Sequence, residues 1–219
     1  MATALSTSDK MVILEGITWE TYNRILAEHG EKGGTRFTFD EGVLEILVLS
    51  PRHERPNRTL ATLVEAVAEE EGLDIDRLGS TTFRRQDLQK GFEPDSCFYI
   101  QNSAAVRGKS EIDLATDPPP DLIIEVDIAC ESLNRFPIFA AVGVPEVWLF
   151  DGETVAIFLL EGPRYVKAQH SAAFPPLTGE IATGFLTQSL ELTSTAWLRA
   201  VREWISFYSA LNLNRRRHF

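Results

Sequence analysis

Glu125 and Asp127 lie two residues apart at the end of "DLIIEVD", residues 121–127, after the apolar run 122–124. Entered from the prolines at 118–120, such a run reads as a strand buried on both faces. Alternation sends both acids to one side of that strand, where ionised carboxylates are costly unless something pairs with them. A candidate partner stands upstream in "GFEPDSCFYI", where Asp95 follows Pro94 at the start of another strand. Proline lacks a backbone donor and sits at strand ends and edges, so Asp95 can stand at a sheet rim with room for a hydrated ion. Two carboxylates from neighbouring strands, a backbone carbonyl and water suit Mg²⁺ or Mn²⁺. Such an ion activates water and neutralises charge developing on a phosphodiester. Glu45, among the aliphatics of "VLEILVLSP", is a third acid, sharing a face with Val43, Leu47 and Leu49. Each acid also has a plainer reading: a turn aspartate after proline, a strand-end glutamate paired to Lys or Arg, and Glu45 on an edge strand turned to water.

The elements that must position these acids can be traced along the chain. "ITWETYNRILAEHG" is a helix capped by Thr18, with Trp19, Tyr22, Ile25 and Leu26 on its apolar face and Gly30 at its end. "GGTRFTFDEGVLEILVLSP" is a hairpin turning at "DEG" and stopped by Pro51. A long helix is expected over about 57–71, closed by Gly72. Two strands follow near 78–85 and 93–100, then an irregular loop over 101–120. "NRFPIFAAVGV" reads as a short helix capped by Asn134, with Pro137 in its first turn. A strand, a Gly-containing turn and another strand come next, with "RYVKAQ" as a third, and Trp197, Leu198, Val201, Trp204 and Ile205 mark a C-terminal amphipathic helix. The order points to one α/β domain over 1–219 with a mixed sheet: a core at about 11–160, a strand and helix extension at about 161–210 and a basic tail at 211–219.

The formal net charge of −11 excludes a general nucleic-acid coating protein but not a nuclease with a local basic strip. Cys97 and Cys130 suit a reducing cytoplasm, and with the scattered His29, His53, His170 and His218 they make no zinc pattern. Neither a membrane span nor a secretory signal is expected. Lys90, just before "GFEPD", is a spare cation for DNA or a solvated turn lysine.

The ordered set "EPD", "PPPDLIIEVD" and "GVPEVWLFDG" resembles the PD-(D/E)XK nuclease superfamily, and within it the Uma-two-type restriction endonucleases, over nearly the whole chain. The resemblance implies a restriction-endonuclease-like fold, a central mixed sheet flanked by helices. It makes Asp95 and Glu125 the acids that hold Mg²⁺ (or Mn²⁺), with Val126 supplying a carbonyl and Glu45 a supporting acid. The superfamily pattern places Lys two residues after the second acid, where this chain has Asp127. In the family that Lys is often displaced into the following helix, which here gives Arg135. Arg135 can stabilise phosphate charge but is a poor base, so the nucleophile falls to metal-activated water. Asp127 either joins the metal site or pairs with Arg135. His53 matches a family histidine and either orients water or phosphate or simply starts a helix. The implied function is a divalent-metal-dependent DNA endonuclease, working as a homodimer in the cytoplasm without an organic cofactor. The alternatives are an inactive nuclease-fold binding or assembly module and a metal-dependent hydrolase of a small phosphorylated substrate.

Overall fold

The computed structural model describes residues 9–30, 34–128 and 133–216, with side chains to 211. Cys130 and the side chains of the basic tail beyond Leu211 lie outside the described residues. In chain order the elements are β1 (Lys10–Leu14), α1 (Trp19–His29), β2 (Thr35–Asp40), β3 (Val43–Val48), α2 (Pro51–Glu71), β4 (Asp76–Arg77), β5 (Phe83–Arg85), β6 (Lys90–Phe92) and β7 (Ser96–Tyr99). There follow α3 (Ser103–Val106), β8 (Leu122–Val126), α4 (Phe136–Val142), β9 (Glu146–Phe150), β10 (Val155–Glu161), β11 (Arg164–Ala168), α5 (Gly179–Ser189) and α6 (Ser194–Arg216).

The expected mixed sheet has the order β11-β10-β9-β8-β7-β4, with β8 and β9 parallel and the other pairs antiparallel. Leu122 and Ile124 of β8 pack under α2, α5 and α6, while Ile123 faces α4 through Ile138 and Phe139. A second sheet, β1-β3-β2-β6-β5, is antiparallel throughout. Its β2–β3 hairpin turns through Glu41 (φ 47°) and Gly42 (φ 96°), the left-handed pair that a two-residue turn requires.

Several elements depart from the sequence expectation. The stretch 76–99 holds four short strands rather than two, because the chain passes from β6 in one sheet to β7 in the other at residues 93–95. β1 and α5 carry too few residues in a clear period to be recognised beforehand. α2 starts at Pro51, not near 57. Proline at the first helical position loses no helical hydrogen bond, and Pro56 removes only one. Arg135, not Asn134, occupies the cap position of α4, and the Asn134 Oδ1 accepts from the Phe136 amide at 3.2 Å.

In the second sheet, Phe37, Phe39 and Leu44 pack on Trp19 and Tyr22 of α1. Tyr22 is fully buried and stacks on Phe39 at 4.9 Å. A Cβ at Gly91 of β6 would lie 2.7 Å from Tyr22 Cε1 and 2.8 Å from Cζ, so this strand needs glycine for contact rather than for backbone freedom. Gly91→Ala is expected to lower unfolding free energy by about 1–3 kcal/mol, the usual cost of overpacking, read as a lower urea midpoint. An unchanged midpoint would mean that α1 yields freely.

Candidate active site

The hairpin determines where Glu45 goes. Phe37 and Phe39 commit one face of β2 to the α1 core, so period two turns Arg36 and Thr38 to the other face, with Thr38 directly opposite Glu45 on β3. That face meets the rest of the protein rather than water: Arg36, Thr38 and Glu45 are all buried. β3 lies between β1 and β2, which rules out an edge strand with Glu45 in solvent.

Asp95 sits at the crossover between the two sheets and is only 2% exposed. Its Oδ2 accepts from the Val126 amide at 2.8 Å and lies 3.3 Å from His53 Nε2. Its Oδ1 stands 3.9 Å from Arg36 Nε. Because α2 begins early, His53 and Asn57 fall on its buried side, one turn apart. Asn57 Nδ2 donates to the Asp95 carbonyl at 3.2 Å and its Oδ1 accepts from Ser96 Oγ at 2.8 Å, which fixes the crossover against the helix.

Glu125 shares the parity of Ile123 and so emerges on the α4 side of β8, where Arg135 waits. Arg135 bridges two acids: one guanidinium nitrogen bonds Glu125 Oε2, and the other bonds Glu45 Oε1 at 2.7 Å. Glu45 Oε2 accepts from the Leu133 amide at 2.6 Å. Asp127 lies at the exposed end of the strand, its amide bonded to the Phe150 carbonyl at 2.8 Å. Glu125, Val126, Asp127, His53 and Arg135 line one cavity of about 230 Å³.

Two other buried acids provide an internal comparison. Asp121 accepts from the Ile100 amide, the Asn102 amide and Asn102 Nδ2 at 2.6–2.9 Å. Glu146 accepts from Trp148 Nε1 and the Ala172 and Ala173 amides at 2.6–2.9 Å. Both are saturated and serve the fold. Asp95 Oδ1 and Glu125 Oε1, by contrast, are buried without a hydrogen-bond partner. Burial pushes Asp95 up to about 6 and Glu125 up to about 7, against the pull of Arg135 on both. Burial also opposes the charge on Arg135, but Glu125, Glu45 and Asp95 outweigh it and hold the guanidinium protonated. Burial likewise lowers His53, which favours the neutral imidazole. Orphaned carboxylate oxygens beside a strand carbonyl fit a hard divalent cation. Among the described residues, however, no group of three His, Cys, Asp or Glu is arranged to hold a metal.

The structure thus gathers Asp95, Glu125, Glu45, His53 and Arg135, with Val126 between them and Asp127 at the mouth. Arg135 is held by Glu45 and Glu125. Lys90 is held by Asp40 and Glu41. Arg36 and Asn57 were not anticipated, although a guanidinium alternating with core phenylalanines in "TRFTFD" carried the signal for Arg36.

Proton binding by the two orphaned acids sets a pH dependence. Their folded pKa values lie above the ordinary 3.8 and 4.5, so folding takes up protons and stability falls as pH rises between about 4 and 7. His53 acts in the opposite sense, adding stability as pH rises through its ordinary range. The Asp95→Asn, Glu125→Gln double variant mimics the protonated pair. In denaturant titrations it is expected to gain on the wild type from pH 5 to pH 8; a difference independent of pH would contradict the assignment.

The family model Uma2, described as "Putative restriction endonuclease", matches residues 19–192, a span that contains every residue of this site. No curated protein matches the chain. Among solved structures, "a putative nuclease belonging to DUF820 from Anabaena variabilis ATCC 29413" aligns with a TM-score of 0.52 at 12% identity, covering 75% of this chain and 98% of that one. At that identity the likeness speaks for the fold. The match over residues 19–192, most of the length, places the chain in the Uma2 family.

Proposed function

We propose that this chain is a divalent-metal-dependent DNA endonuclease that hydrolyses phosphodiester bonds. One observation carries the reading: the buried oxygens on Asp95 and Glu125 that accept no hydrogen bond, in a protein whose other deeply buried acids accept hydrogen bonds at both oxygens. Asp95, Glu125 and the Val126 carbonyl would hold Mg²⁺ or Mn²⁺, with Asp127 nearest the mouth. Bound there, the cation would supply an acidified water and neutralise phosphate charge.

The chain's own residues have separable tasks. The Val126 amide holds the Asp95 carboxylate in one orientation, and the neutral His53 imidazole packs 3.3 Å from the same oxygen. Glu45 anchors Arg135, which stays protonated and cannot act as a base. Arg135 Nε is a donor without an acceptor, and we assign it to the scissile phosphate. Two such sites on a two-fold dimer would meet the two strands of a duplex.

A second reading has its own support. Arg135 already neutralises Glu125 and Glu45 with a fixed cation, as a nuclease fold retained for binding would. Cleavage of supercoiled DNA separates the two. The wild type with Mg²⁺ or Mn²⁺ is expected to nick, EDTA to stop it, and Asp95→Ala with Glu125→Ala to abolish it. Arg135→Ala should slow it about 10²–10³-fold, the usual loss for one charge-stabilising donor, with partial recovery in Arg135→Lys. No cleavage by purified wild type with either metal, or equal cleavage by the double variant, would move the assignment to the binding module.

A further inference from the structure

A second cavity, of about 490 Å³, adjoins the acid site. The two share a wall of consecutive residues: Arg52 beside His53 on α2, and Ile128 beside Asp127 after β8. α2 therefore presents two adjacent faces. His53 and Asn57 point inward to Asp95, while Arg52, Arg55, Pro56 and Thr59, spaced at i, i+3, i+4 and i+7, line the second cavity. The same cavity is lined by Ile128, Phe150 and Leu190, the last 70% exposed.

Charge is what sets this groove apart. On a body of net charge −11, most described cations are already engaged by acids: Arg58 with Glu54, Lys90 with Asp40 and Glu41, Lys109 with Asp117, Arg202 with Glu69 and Glu70. Arg52 and Arg55 are exposed, and no acidic group of the described residues lies within ion-pair distance of either. Side chains three apart on a helix are neighbours, about 5–6 Å between Cβ atoms, so the pair forms one cationic strip beside the acids. Glu153 is the one acid among the residues that line the groove. A cationic strip above an apolar floor suits a polyanion that carries apolar surface between its charges, which is the chemistry of a nucleic-acid backbone.

We propose that Arg52 and Arg55 contact backbone phosphates of the DNA strand as it leaves the acid site, with the apolar floor taking the sugars between them. The inference rests on the endonuclease reading and assigns that site its substrate track. The strip holds phosphates next to the one being cut and so sets register rather than base preference.

The test is equilibrium binding of a fluorescent DNA duplex in EDTA, so that no turnover intervenes, repeated over a series of salt concentrations. Losing two phosphate contacts makes the plot of log K against log salt shallower by about 1.8, or about 0.9 per contact. The Arg52→Ala, Arg55→Ala chain is expected to show that change and Arg52→Lys, Arg55→Lys to restore most of it. Arg199→Ala, which removes an exposed cation on α6, should leave the slope at the wild-type value. If the wild type binds and the double variant has its slope, the strip is not the track, and the endonuclease reading stands untouched. If the wild type binds no DNA even at low salt, either in EDTA or with Ca²⁺ supplied to the acid site in its place, the endonuclease reading and this inference fall together.

Discussion

Three buried carboxylates gathered around two guanidiniums are the constraint on which the rest of the structure depends. Glu45, Asp95 and Glu125 are each less than 5% exposed, while Arg135 and Arg36 supply the fixed positive charges and His53 is biased to neutrality. With all three acids ionised, the described cluster is one positive charge short. A buried charge without a partner is among the most expensive features a fold can carry, so the deficit is met by a proton or a cation. Saturated acids such as Asp121 and Glu146 create no such demand, because amide and indole donors use up their oxygens.

The architecture follows from the need to bring these groups together. Glu45 and Arg36 come from the antiparallel sheet, Glu125 from the mixed sheet, Asp95 from the bend where the chain passes between them, and His53 and Arg135 from the helices either side. No single element holds the site, so its geometry depends on how the two sheets are docked. Asn57 ties the bend to α2, and the Arg135 bridge ties β3 to β8. Breaking one end of a buried bridge of this kind costs about 3–5 kcal/mol, so the site's residues also hold the sheets in register.

Much of the site was legible in the sequence because acids are out of place in apolar strands. Glu45, Asp95 and Glu125 each interrupt an apolar or proline-bounded run, and Arg135 stands where the family pattern offers a displaced cation. Arg36 escaped notice because alternation with Phe37 and Phe39 looks like a solvated polar face; period two cannot say whether the second face meets water or another sheet. Asn57 stood at the expected start of α2, where the longer helix from Pro51 instead turns it inward a turn after His53, so its tie to the crossover was not legible. The second sheet was out of reach for a related reason: three-residue strands such as β5 and β6 are too short to show a period, and their pairing is a long-range property.

The most direct measurement is calorimetric titration of the protein with Mn²⁺, with the protons released counted from buffers of different ionisation enthalpy. If the cluster lacks one positive charge and holds protons in its place, binding at pH 6 displaces them. The release should diminish toward pH 8.5, where Asp95 and Glu125 are ionised beforehand, and Asp95→Asn should abolish tight binding. Absence of Mn²⁺ binding, or binding that releases no protons and survives Asp95→Asn, would contradict the account.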